Sequence, residues 1–149
     1  TGYRWFISEN PSFASEMSSA WNASIASALG PNTKTNFCWG GSMAGRLAAH
    51  AKDLKAAVVF YGMPPAADEA ARIRVPMLLH YAGRDTRINE AVPAFEQALK
   101  ASDTRYELHM YPDVDHAFHN DTNAARYNAD AALHAWKRTI AFFERELGN

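Results

Sequence analysis

The sequence predicts an α/β fold, with about four mostly parallel strands and helices on both faces of the sheet. Three observations predict it. From residue 36 onward, apolar runs of strand length alternate with helical patterns. Two of those runs, "AAVVFYG" (56–62) and "VPMLLHYAG" (75–83), are nearly continuous apolar stretches, as strands covered on both faces require. The last segment carries Ala132, Trp136, Ile140, Phe143 and Leu147 at helical spacing, a stripe that needs a sheet to cover. Strand–helix alternation of this kind implies a parallel sheet.

Taken in order, residues 10–30 read as a helix that starts near Asn10 or Ser12 and stops at Gly30. "PNTKTNF" follows where a strand belongs. Its Thr33, Lys34, Thr35 and Asn36 are edge-strand residues, because lysine and other polar side chains discourage further pairing. A helix is expected at about 42–52, then the strand at 56–62. The strand at 75–83 has Pro76 at its start, where a missing N–H is tolerated. Helices are expected at 89–101 and 123–147. Between them, "RYELHMYP" (105–112) alternates Tyr106, Leu108 and Met110 with polar neighbours, the pattern of a half-buried strand near a sheet edge.

At 149 residues the chain is one domain's worth, enough to bury about two-thirds of its unfolded surface. Residues 1–35 are expected to form a divergent N-terminal helical segment and 36–149 the α/β region. A net charge of -1 offers no basic footprint and argues against nucleic acid as a partner. A single cysteine cannot form an intrachain disulfide. There is no run of about 18 apolar residues and no signal-peptide pattern, so the expectation is a cytoplasmic protein without a membrane partner.

Chemistry concentrates in three places. "NFCWGGSMAG" (36–45) puts Cys38 at a strand-to-helix turn. There, glycines permit unusual backbone angles and a helix N-terminus favours a thiolate. A buried, inert cysteine is the alternative. "HYAGRDTRI" (80–88) places Asp85 just past a buried strand, where it could orient a histidine or cap a turn. "YPDVDHAFHND" (111–121) places His116 after the next strand, as a general base or an incidental loop residue. His119 competes with it, and with Asp113, Asp115 and Asp121 could suggest a metal, but the spacing fits no common ligand signature. No metal or other cofactor is expected. Nucleophile, acid and histidine in that order, each after a strand of one sheet, is the order of an α/β-hydrolase.

"NFCWGGSMAG", "VVFYG", "VPMLLHYAGRDTRI" and "MYPDVDHAFHND…ARYNADAALHAWKRTIAFF" together resemble the dienelactone hydrolase (carboxymethylenebutenolidase) family over residues 36–147. The resemblance implies the C-terminal half of an α/β-hydrolase and a triad of Cys38, Asp85 and His116. It also implies a thioacyl-enzyme intermediate, the backbone N–H of Trp39 as half of the oxyanion hole, and a small lactone or ester as substrate.

Three departures stand out. Asn36 replaces the glycine that usually opens the elbow. Asn120 stands where the archetype has a substrate-holding arginine, four residues after the catalytic histidine. Only 37 residues precede Cys38, where the family carries about four further strands. The elbow strand is therefore expected at an edge of the sheet, and a homo-oligomer is expected to cover it. The alternative to a hydrolase is a family remnant, weak or inactive in catalysis, that binds or self-associates.

Overall fold

A computed structural model describes residues 33–37 and 39–147. The helix expected at 10–30 and Cys38 itself lie outside the described residues. Nine elements follow in order: β1 (Thr33–Phe37), α1 (Trp39–His50), β2 (Ala56–Phe60), α2 (Ala67–Ala70), β3 (Met77–Ala82), α3 (Thr86–Asn89), α4 (Val92–Ala101), β4 (Tyr106–Tyr111) and α5 (Ala129–Leu147). The strands form one parallel sheet in the order β1-β2-β3-β4.

Side-chain alternation along the two central strands builds the two faces. Ala57, Val59, Met77, Leu79 and Tyr81 point to one side and meet Ala44 and Ala48 of α1, Ala70 of α2, and Val92, Phe95 and Leu99 of α4. Ala56, Val58, Phe60, Leu78 and Ala82 point to the other and meet Ala131, Ala135, Phe142 and Phe143 of α5. Every residue of β2 and β3 is buried, as their apolar runs predict. Strand β4 closes one edge half-buried: Tyr106 and Leu108 pack under the α4 face while Met110 is exposed. At the other edge, β1 pairs with β2 alone among the described residues. No helix of the described residues is long and apolar enough to cross a membrane.

Two helix expectations are revised. The helix expected at 89–101 is two, α3 and α4. Pro93 in the first turn of α4 has no N–H to continue the α3 ladder, and its ring would crowd the carbonyl four residues back. The helix expected from residue 123 starts at Ala129. Arg126 and Tyr127 turn back onto the carbonyl of Asn123, and the Asn128 side chain accepts from Ala131 N at 3.0 Å. Asn128 is thus the cap that sets the start of α5. The short α2, which closes the first core with Ala70, was too brief to leave a periodic signal.

Register lines up the C-terminal ends of the strands. Phe37 lies opposite Phe60, Phe60 opposite His80, and Ala82 opposite Tyr111. The segments that carry Trp39, Tyr61, Asp85 and His116 all leave from this edge.

Candidate active site

Asp85 sits three residues past β3, at the N-terminal cap of α3. Its two carboxylate oxygens have separate tasks. Oδ1 accepts from the backbone N–H of Ile88 at 3.4 Å, and Oδ2 meets His116 Nδ1 at 2.5 Å. One side chain thus both caps α3 and contacts His116. An ionised carboxylate can only accept, so the His116 Nδ1–H donates this bond to Asp85 Oδ2. The Asp85 side chain is buried, and His116 retains 18% exposure.

Backbone contacts hold these two loops together. Gly83 N donates to Tyr111 O at 2.7 Å, and Arg84 N donates to Val114 O at 3.1 Å. The approach is close enough to demand glycine: a Cβ at Gly83 would lie 2.4 Å from the carbonyl oxygen of Pro112. Ala117, next to His116, has φ 68°, an unusual turn for alanine that redirects the chain just after the imidazole.

A second pair of segments meets in the same way. A Cβ at Gly62, two residues beyond β2, would lie 2.3 Å from the carbonyl carbon of Gly41 in α1. Met63 N donates to Ser42 Oγ at 2.8 Å. The loop after β2 is thus pressed onto the first turn of the helix that follows Cys38. Trp39 is the first residue of that helix. Its N–H belongs to the first-turn amides that have no acceptor within the helix and are suited to an anion.

His119, the competing histidine, is placed differently. Burial pushes its pKa down to about 4, and its ring stands edge-on to Phe60 at 5.4 Å. Asn120 is exposed, and its Oδ1 accepts from both Thr122 N and Thr122 Oγ1, at 3.1 and 2.7 Å. Among the described residues no group of three His, Cys, Asp or Glu side chains could hold a metal ion.

Two features escaped the sequence reading. Tyr61, immediately after β2, lays its ring 5.0 Å from that of His116. His80, inside β3, is fully buried between Tyr111 and Thr139. The Thr139 hydroxyl donates to Ala135 O at 2.9 Å, so it accepts from His80 Nε2–H at 3.1 Å. Arg138 Nη1 donates to the Tyr111 oxygen at 2.9 Å, and the Tyr111 O–H then donates to His80 Nδ1 at 3.1 Å. This chain of donors keeps His80 neutral. Burial, helped by the nearby His109, Arg138 and His119, holds its pKa well below the usual histidine value. A histidine at an inward-facing position of an otherwise apolar strand is the one sequence signal that could have marked it.

Comparison with known proteins places the chain among relatives. The family model described as dienelactone hydrolase matches residues 31–147. An Escherichia coli protein that carries the provisional name carboxymethylenebutenolidase is 36% identical over 122 residues, covering 74% of this chain and 45% of its own length. The crystal structure of a Klebsiella pneumoniae protein, provisionally named a dienelactone hydrolase, superposes with a TM-score of 0.69 at 36% identity. That match covers 74% of this chain and 50% of the other. A dienelactone hydrolase-like phosphotriesterase from metagenomic libraries shares the fold, with a TM-score of 0.70 at 22% identity over 76% of this chain and 52% of its own. The chain spans about half the length of the relatives it matches.

Proposed function

The chain belongs to the dienelactone hydrolase family, and from that footing we propose that it hydrolyses small lactones or esters through Cys38, His116 and Asp85. The observation that carries this reading is the 2.5 Å contact between His116 Nδ1 and Asp85 Oδ2, on the edge of the sheet from which the Cys38 segment also leaves. A carboxylate on Nδ1 directs Nε2 outward as a base and stabilises the imidazolium that forms when it takes a proton.

In this mechanism His116 Nε2 accepts the thiol proton of Cys38, and the thiolate attacks the carbonyl carbon. Negative charge moves to the carbonyl oxygen, where the Trp39 N–H donates to it. The tetrahedral intermediate collapses to a thioester, and the departing alkoxide takes the proton from His116. For a lactone, that alkoxide stays on the same molecule. Water then gives a proton to His116 and attacks the thioester, and the carboxylic acid leaves as Cys38 is reprotonated.

Hydrolysis of a chromogenic acetate ester tests the proposal. Cys38→Ala should abolish turnover; a rate unaffected by that substitution would overturn the Cys38 mechanism. A non-catalytic binding or self-associating domain is the second reading, favoured by Asn120, which stands where the family's archetype has a substrate-holding arginine. Folded, pure protein with no turnover on any small ester would select it. We also propose a homo-oligomer, supported by the uncovered edge that β1 presents among the described residues; a monomer mass by light scattering would refute it.

A further inference from the structure

The four segments that meet at the proposed site are held together in two pairs. The loop after β2 is pressed onto the start of α1 through Gly62 and Gly41 and through Met63 N and Ser42 Oγ. The loops after β3 and β4 are joined through Gly83 and Pro112, Arg84 N and Val114 O, and Asp85 and His116. A nucleophile before α1 and a base in the β4 loop work together only if one pair keeps its distance from the other.

Tyr61 spans the two. It directly precedes Gly62, so its backbone belongs to the first pair. Its ring packs on the second, 5.0 Å from His116 at a 58° tilt and 5.4 Å from Phe118 at 72°. Only 2% of the residue is exposed. Its N–H donates to His80 O at 2.7 Å, extending the β2–β3 ladder by one step. The backbone φ is 38°, in the left-handed region that is costly for an aromatic residue and persists where surroundings over-determine it. A glycine there would relieve that cost and remove the ring.

We propose that Tyr61 is a positioning residue for His116: its ring sets the imidazole orientation relative to the α1 start, so the base faces the nucleophile in a prepared geometry. This rests on the reading of His116 as the base. It acts through shape: Asp85 holds the Nδ1 edge of the imidazole, and the Tyr61 ring packs beside it and limits its tilt on that side. Misplacement by about 1 Å can reduce a rate about 100-fold.

The test uses the whole chain and two readouts. The first is the far-downfield proton resonance of the His116 Nδ1–H donated to Asp85, observed by NMR without substrate. The second is the kcat and KM of ester hydrolysis. Tyr61→Leu and Tyr61→Gly should broaden or lose the resonance and lower kcat about 10- to 100-fold, with KM within about threefold. Tyr61→Phe, which keeps the ring, should retain the resonance and restore kcat to within about threefold. An intact resonance and rate in the ringless variants would overturn the proposal, as would Tyr61→Phe behaving like Tyr61→Leu. In the unmodified protein, ring-to-ring NOEs between Tyr61 and His116 are expected, and their absence would overturn it whatever the variants do. The NMR arm needs no turnover, so failure of the hydrolase reading is seen separately, as a lack of Cys38-dependent activity.

Discussion

His116 and His80 are both gripped by hydrogen bonds in the same small sheet, yet their surroundings suit them to opposite tasks. His116 is partly exposed and meets a carboxylate, which can stabilise a positive ring. His80 is fully buried and meets two neutral hydroxyls, each already committed in direction by Arg138 and by Ala135 O. Protonating His80 would place a proton on Nδ1 facing the Tyr111 O–H, with no carboxylate to balance the charge. The contrast teaches that the partner's charge and access to water, more than hydrogen bonding itself, separate a histidine that can move protons from one that ties a helix to a sheet.

Removing the carboxylate from the first histidine should have the largest effect. Asp85→Asn is expected to lower kcat by roughly 1,000- to 10,000-fold, because an amide can donate to Nδ1 and stabilise the wrong tautomer. Steady-state ester hydrolysis reads this, and a loss under tenfold would remove Asp85 from the proposed mechanism. The same treatment of the second histidine should act on stability. His80→Leu strands the Tyr111 O–H inside the α5 face and should cost about 2–3 kcal/mol. A thermal melt lower by about 5–10 °C is the expected result. Hydrolysis measured well below the transition should stay within about threefold, and a collapse of activity in folded His80→Leu would blur the division between the two histidines.

Acid should act on the buried group of histidines. His80 and His119 both have folded-state pKa values depressed by burial, the latter to about 4. The unfolded chain therefore binds more protons than the folded one below the unfolded histidine pKa of about 6.5. The stability from keeping these rings neutral is fully present above that pH and is lost as pH falls toward the folded values. For each fully titrating histidine the slope is about 1.4 kcal/mol per pH unit. Urea unfolding between pH 7 and 5 should show falling stability, and His80→Leu should flatten the slope. The smallest effect is expected at Asp115, whose 3.9 Å ion pair with Arg84 spans the two loops in solvent. Asp115→Ala should change stability by less than about 0.5 kcal/mol and activity by less than threefold, since backbone bonds already join those loops. A larger loss would show that the His116 loop depends on surface charge.

Much of this molecule is legible in its sequence. The apolar runs at 56–62 and 75–83 announced strands covered on both faces, and the half-polar 105–112 announced an edge. Asp85 and His116 could be named because each follows a strand closely, and a parallel sheet collects such positions at one edge. Other features were not legible. The break between α3 and α4 depends on where Pro93 falls within a turn, and the late start of α5 on an asparagine cap that periodicity does not weigh. Tyr61 looked like the end of an apolar run, and nothing local told it from core.

By itself, then, the amino-acid sequence determined the order of elements, the buried character of the central strands and the identity of the acid and base candidates. Those properties are carried by composition and spacing along one chain. Tertiary structure alone decided that Asp85 divides its oxygens between Ile88 N and His116, that His80 is a neutral tie to α5, and that Tyr61 joins the two halves of the site. Each of these is a contact between segments distant in the chain, made specific by a register, a close backbone approach or the direction of a hydrogen bond.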